Sequence, residues 1–181
     1  MLSSPLALAL SDRLEVRRQS ARPADEAMPP QAAPVIIAGF GRVGQIVGRV
    51  LFAQGIRATV LDRDPQQIEL LRKFGYKVFY GDATRLDLLR AAGAADARVL
   101  VNAIDDVDAS LELVDTVRGA FPGLAVIARA RNVRHALELR KRGVTLLERE
   151  TFESSLRLAR ETLQALGVAP YDARLAAERF R

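Results

Sequence analysis

The 181-residue chain has no cysteine, no tryptophan and a single histidine. Without cysteine there can be no disulfide framework, no thiol nucleophile and no zinc–thiolate site. One imidazole, His135, leaves His-rich metal sites and most histidine-based catalysis without material. No run reaches the roughly 20 apolar residues that a membrane-spanning helix needs, so this chain alone is no transporter. Aromatics are sparse, at 6%. Much ordinary enzyme chemistry is already excluded.

What remains is ample for a core. Apolar residues make up 49% of the chain, which excludes global disorder. The length suits one compact domain with at most an appendage. The formal charge is +5, and it is unevenly spread. Residues 1–34 carry four basic and four acidic side chains, residues 35–127 eleven of each, and residues 128–181 twelve basic and seven acidic. The whole excess therefore lies in the last third. One reading is an anion or nucleic-acid site there; the other is arginines on solvated helix faces. Only Phe152, Tyr171 and Phe180 could interleave with those basic residues. This argues against nucleic acid and leaves a small anion open.

Residues 1–34 differ from the rest. Met1 to Leu10 is a short apolar run, and ARPADEAMPPQAAP reads as an extended linker. The run has no basic segment in front of it, as a signal peptide would. It is equally compatible with the tail of a membrane helix or an end packed on a neighbour.

From Val35 the pattern becomes regular. VIIAGF, ATVLD, KVFYGD, ARVLVNAID, LAVIARA and VTLLE carry the apolar signature of buried strands. Between them lie helical segments, one with Val43, Val47, Val50 and Leu51 at helical spacing and ended by Gly55. Asp64-Pro65 predicts a cap and first-turn proline for a helix through Phe74. Further helices are expected near 85–92 and 107–120, and from an Asn132 cap to Arg142. Strands alternating with helices imply right-handed crossovers and a parallel sheet. The expected fold is α/β: a Rossmann-like, doubly wound, six-stranded parallel sheet. One extra helix, Thr151 to Leu166, follows with an apolar stripe of Phe152, Leu156, Ala159, Leu163 and Leu166.

Gly39-Phe40-Gly41-Arg42-Val43-Gly44 matches GxGxxG, directly after a strand and opening a helix. Gly39 permits the tight turn, Gly41 lets a phosphate approach the backbone, and Gly44 lets helix pack on strand. The helix N-terminus then favours an anion. Asp62 ends the second strand 18 residues past Gly44, where a carboxylate can accept from both ribose hydroxyls and would repel a 2′-phosphate. Three later strand ends face the same crevice by topology. They supply Gly81-Asp82-Ala83-Thr84, then Asp105-Asp106, then Arg129 and Arg131. Asp82 is expected beside adenine or ribose, and Arg129 within reach of phosphate. Helix capping by Asp82 or Thr84, and solvent exposure of Asp106, are the structural alternatives.

The chain does not read as an enzyme. Residues 35–148 form the Rossmann unit, which leaves too little chain to close a cleft over a substrate. His135 sits early in a helix beside Arg134 and reads as a surface residue. Tyr76, Tyr80 and Tyr171 form no Tyr-x-x-x-Lys pair. A nucleotide pocket without a chemical partner points to a sensor.

VIIAGFGRVGQ, VLDRDP, LRKFGYKVFYGDATR, NAIDD, IARARN and ERETFE together resemble the cytosolic regulatory domain of the glutathione-gated potassium efflux (Kef) transporters. That domain is of the regulator-of-potassium-conductance type, also called KTN or TrkA-N. The resemblance covers residues 35–180. It implies that residues 1–10 are the end of a membrane helix and 11–34 a linker. Residues 35–148 would be the nucleotide-binding domain, and 149–181 a crossover helix and tail that make a homodimer. The linked partner would be a membrane antiporter, which places the domain at the cytoplasmic face of the bacterial inner membrane. AMP or NAD(H) would occupy the glycine-loop site. Its contacts would come from Gly39, Phe40, Gly41, Arg42, Val43, Gly44, Asp62, Arg63, Asp82, Ala83, Thr84, Asp105 and Arg129. Glutathione would bind near the dimer interface. Arg49 and Arg149 would meet its carboxylates, and Phe74 would be the aromatic that bulky adducts displace. Reduced glutathione would hold transport closed, and adducts would open it. Val43 stands where family members often have Phe, and the chain ends at Arg181, before a segment that adds a further polar contact in the family. Two other functions stay open: an NAD- or ATP-responsive subunit of a Trk-type potassium uptake system, and an NAD-dependent oxidoreductase.

Overall fold

The structure, a computed structural model, is described for residues 33–65, 71 and 76–180. The apolar run 1–10, nearly all of the expected linker, Phe74 and most of the helix expected after Pro65 lie outside the described residues.

Six strands form one parallel sheet in the order β3-β2-β1-β4-β5-β6. They are β1 (Val35–Ala38), β2 (Ala58–Asp62), β3 (Lys77–Tyr80), β4 (Val99–Asn102), β5 (Ala125–Ala130) and β6 (Leu146–Arg149). The helices between them are α1 (Arg42–Ala53), α2 (Leu86–Ala91), α3 (Val107–Ala120) and α4 (Val133–Lys141). The expected doubly wound sheet is therefore present. The central strands are short and mostly apolar, and their alternate residues feed two cores, whereas the edge strands β3 and β6 bury little. Ile36, Leu61, Leu100 and Val126 pack with Leu113, Val114 and Val117 of α3 on one face. Ile37, Val60 and Val101 pack with Val43, Val47 and Leu51 of α1 on the other. Period-two side-chain placement turns a continuous apolar strand into a wall of both cores.

The chain leaves β1 for β2 on one side and returns to β4 on the other, so strand order reverses at β1. In register, Ala38 lies opposite Leu61 and Asn102, which brings the strand ends out level. A crevice outside those ends is what such a switch point creates. Gly55, at positive φ, follows α1 as expected, and Gly143, also at positive φ, follows α4 in the same way.

Two features differ from the sequence reading. After α5 (Phe152–Ala165) the chain does not run on as a tail; it folds into α6 (Pro170–Arg179), packed against α5 through buried Ala173. Gly167 at φ +88° ends α5, and Pro170 opens α6, where a missing N–H costs nothing. His135 is the second. It is fully buried, because the Asn132 cap sets α4 so that His135, Ala136 and Leu139 face inward. α5 itself buries no residue, and Leu158 and Leu166 are exposed.

Candidate functional site

The loop between β1 and α1 shows how each glycine is used. Gly39 sits at φ +84°, a conformation that L side chains rarely adopt. A Cβ on Gly44 would lie 2.2 Å from the Gly39 carbonyl oxygen, so only glycine lets α1 press onto the loop. Gly41 is different. A Cβ there would meet no atom within 4 Å among the described residues, so its face is open. Gly41 is also the N-cap of α1 and offers no capping side chain, and the first helical turn carries no acidic residue. The leading N–H groups of a 12-residue helix are thus left for an external acceptor.

Above this loop is a cavity of about 480 Å³, within the range of small-molecule pockets. Of the expected contacts, Gly39, Gly41, Arg42, Asp62, Arg63, Asp82, Ala83, Asp105 and Arg129 line it. Phe40, Val43, Gly44 and Thr84 are not among its lining residues. Phe40 is turned into the second core, where it meets Tyr76 at a ring distance of 5.7 Å, and Val43 packs on the same core. The alternating geometry of the loop sends these side chains beneath it, and Gly44 serves packing.

Asp62 ends β2 at the cavity wall. Its Oδ2 accepts the Phe40 N–H and its Oδ1 accepts the Asp64 N–H at 2.7 Å. A carboxylate has about four lone-pair sites, so two remain for hydroxyl donors. Asp82 accepts the Thr84 N–H at 3.0 Å, and Arg63 lies 3.6 Å away. The Thr84 bond, helped by Arg63 and Arg85, holds the Asp82 carboxyl below its usual range. Its role is an Asx turn before α2, whose cap is Arg85. Asp106 is exposed and caps α3 by accepting the Ala109 N–H at 2.8 Å.

Arg129 is the one nearly buried arginine of the site, its side chain 8% exposed. It is already paired. Its Nε donates to Glu150 at 3.0 Å, its Nη2 to Glu150 and Asp105, and its Nη1 to the Ala103 carbonyl. Hydrogen bonding to Arg129 pulls the Asp105 carboxyl down. Glu150 also faces Arg42 at 3.1 Å. Nothing in the sequence singles out Glu150, although it lies in ERETFE; only the parallel pairing of β6 with β5 delivers it here. Asn102 carries no sequence signal either. Buried at the end of β4, it donates to the carbonyl and hydroxyl of Ser110, fixing α3 under the crevice.

The residues expected to meet glutathione are on separate elements. Arg49 is exposed on α1 near Tyr76, whose hydroxyl donates to the Gly48 carbonyl at 2.8 Å. Burial raises the Tyr76 pKa, and Arg49 opposes the shift. Arg149 stacks on Phe152, 3.6 Å from its ring centre, and lines a second cavity of about 510 Å³ with Leu137 and Arg140. Phe74 lies outside the described residues. No group of three or more metal-ligating side chains is found among the described residues.

The fold and site define a regulatory domain of the Rossmann type, with an open crevice at the switch point of its sheet. The TrkA-N domain model matches residues 35–148, and the model of the potassium efflux system KefB C-terminal domain matches 154–181. The chain belongs to the TrkA-N domain family, whose members it resembles as a regulatory domain and not as an enzyme. It is 55% identical over 182 residues to the glutathione-regulated potassium-efflux system protein KefC of Cronobacter sakazakii, covering 100% of this chain and 29% of that protein. The chain thus spans under a third of the length of such relatives. Among solved structures, the Kef CTD of Shewanella denitrificans in AMP-bound form superposes with a TM-score of 0.74 at 49% identity, covering 81% of this chain and 89% of that one. The TrkA-N domain of the Escherichia coli inner membrane protein YbaL gives 0.66 at 25% identity, covering 75% and 97%.

Proposed function

We propose that this chain is the nucleotide-sensing regulatory part of a glutathione-regulated potassium efflux (K+/H+ antiport) system. An adenine nucleotide, AMP or NAD(H), occupies the crevice. Its phosphate sits on the free N–H groups of α1 against Gly41, and its ribose hydroxyls donate to Asp62. The open face of Gly41 at an uncapped helix start carries this reading, since a Cβ would fill the space a phosphate needs. The AMP-bound form of the Shewanella Kef CTD supports it.

Glutathione or its adducts bind at Arg49 and Arg149, whose guanidiniums suit its carboxylates. The two arginines come together across a homodimer built on the exposed apolar residues of α5. Linked to a membrane antiporter at the cytoplasmic face of the inner membrane, the dimer transmits ligand occupancy to transport. No helix among the described residues is long and apolar enough to cross a membrane.

The test is calorimetry of the folded protein with AMP and NADH, with mass spectrometry of any ligand released by heat. Saturable binding at one site per chain is expected. Folded protein that binds neither nucleotide would overturn the reading.

A further inference from the structure

The strand order lays out the crevice from left to right as β2, β1, β4, β5. With the nucleotide bound as proposed, ribose lies at Asp62 over β2 and the first phosphate at the start of α1, after β1. Any further phosphate must extend away from the ribose, toward the ends of β4 and β5. That is where the carboxylates are. Asp105 and Asp106 follow β4, and Glu150 follows β6 beside β5.

The charges at this end nearly cancel. Arg42, Arg129 and Arg131 are opposed by Asp105, Asp106 and Glu150. Arg129, the least exposed of the three arginines, is held by both Glu150 and Asp105. Arg131 lies 3.9 Å from Asp105, and Arg42 lies 3.1 Å from Glu150 with its side chain 84% exposed. The Glu150 side chain is only 15% exposed, so water screens it weakly. A first phosphate needs only helix N–H groups and can draw Arg42 aside. A second phosphate has to compete with two carboxylates for Arg129.

We propose that Glu150 and Asp105, the two carboxylates that share Arg129, limit the negative charge this end of the cavity accepts, and so select nucleotides with few phosphate charges. The inference rests on the proposed nucleotide site and deepens it. Arg129 is then no free phosphate ligand. It is the group that fixes both carboxylates in place.

The experiment is calorimetry of adenosine, AMP and ADP with the wild-type chain, Glu150→Gln, Glu150→Asp and Asp105→Asn, with thermal melts of each. Adenosine is uncharged, AMP carries about −1.5 to −2 at pH 7, and ADP carries roughly one further negative charge. In Glu150→Gln, ADP should tighten about tenfold, the scale of removing one weakly screened unit charge several ångströms away. AMP should tighten less, adenosine should not change, and Glu150→Asp should keep the wild-type ratio of AMP to ADP affinity. Asp105→Asn, at an exposed side chain, should move that ratio in the same direction, and it decides the question if Glu150→Gln does not fold. Equal shifts for all three ligands, or an unmoved ratio in folded variants, would overturn the proposal. Wild-type protein that binds none of the three would overturn the nucleotide site as well; binding of AMP with an unmoved ratio would overturn this inference alone.

Discussion

Asp62 at the end of β2 accepts the backbone N–H of Phe40 from the glycine loop after β1. The residue proposed to hold the ribose thus also clamps the loop proposed to hold the phosphate. Asp62→Ala should weaken AMP binding about tenfold to hundredfold, the worth of a charge-assisted hydrogen bond. It should also lower the melting temperature, because the Phe40 and Asp64 N–H groups lose their acceptor. Calorimetry and a thermal melt on one preparation check both effects.

Gly41 and Gly44 should separate function from folding. Gly44→Ala drives a Cβ to 2.2 Å from a backbone oxygen and should destabilise the fold by about 3 kcal/mol. Gly41→Ala meets no atom within 4 Å among the described residues and has φ −69°, so its melting temperature should stay near wild type. It should nevertheless lose most AMP affinity. Intact AMP binding by Gly41→Ala would remove the phosphate from this loop.

His135 should make stability sensitive to mild acid. Its Nδ1 accepts the Arg131 N–H at 3.2 Å, while its Nε2 is buried with no partner among the described residues. Burial first, and Arg129 second, depress its pKa below the ordinary value. The unfolded chain therefore binds the proton more readily than the folded one. The penalty is absent above the unfolded value of about 6.5 and grows as pH falls below it, by at most about 1.4 kcal/mol per pH unit. The depressed Asp82 and Asp105 lose their stabilising contribution only nearer pH 4. Melts between pH 7 and 5 should slope downward in wild type and flatten in His135→Gln.

Arg149 should matter for glutathione and not for nucleotide. It stacks on Phe152 beside the second cavity and is not among the residues lining the first. Arg149→Ala should abolish glutathione binding, leaving AMP affinity within about threefold of wild type. A parallel loss of both would show that the stack on Phe152 supports the whole domain.

The glycine loop and Asp62 are legible in the sequence because their geometry is local. A strand, a glycine-bent corner and a helix start are written in adjacent residues, and one crossover later a carboxylate ends the next strand. Local also are the Asn132 cap and the glycine stops after α1 and α4. Phe40 and Val43 are legible as part of the motif, but not in which way they face; the loop turns them into the core. Helix α6 escapes a sequence reading because its ten residues are short and alanine-rich, with no apolar stripe to announce them. His135 misleads because a polar residue beside arginines suggests solvent, whereas the phase set by its cap points it inward.

By itself, the order of apolar runs, glycines and one aspartate determined the sheet, its switch point and the end of it that is open. Those features follow from side-chain periodicity and backbone freedom, which act over a few residues at a time. The electrostatic balance of the crevice was decided only by the tertiary structure. Arg129 meets Glu150 because β5 and β6 pair in parallel, and Arg42 meets Glu150 because α1 begins beside them. Coulomb interactions act across space between residues far apart in the chain, so their sum exists only once the sheet is assembled.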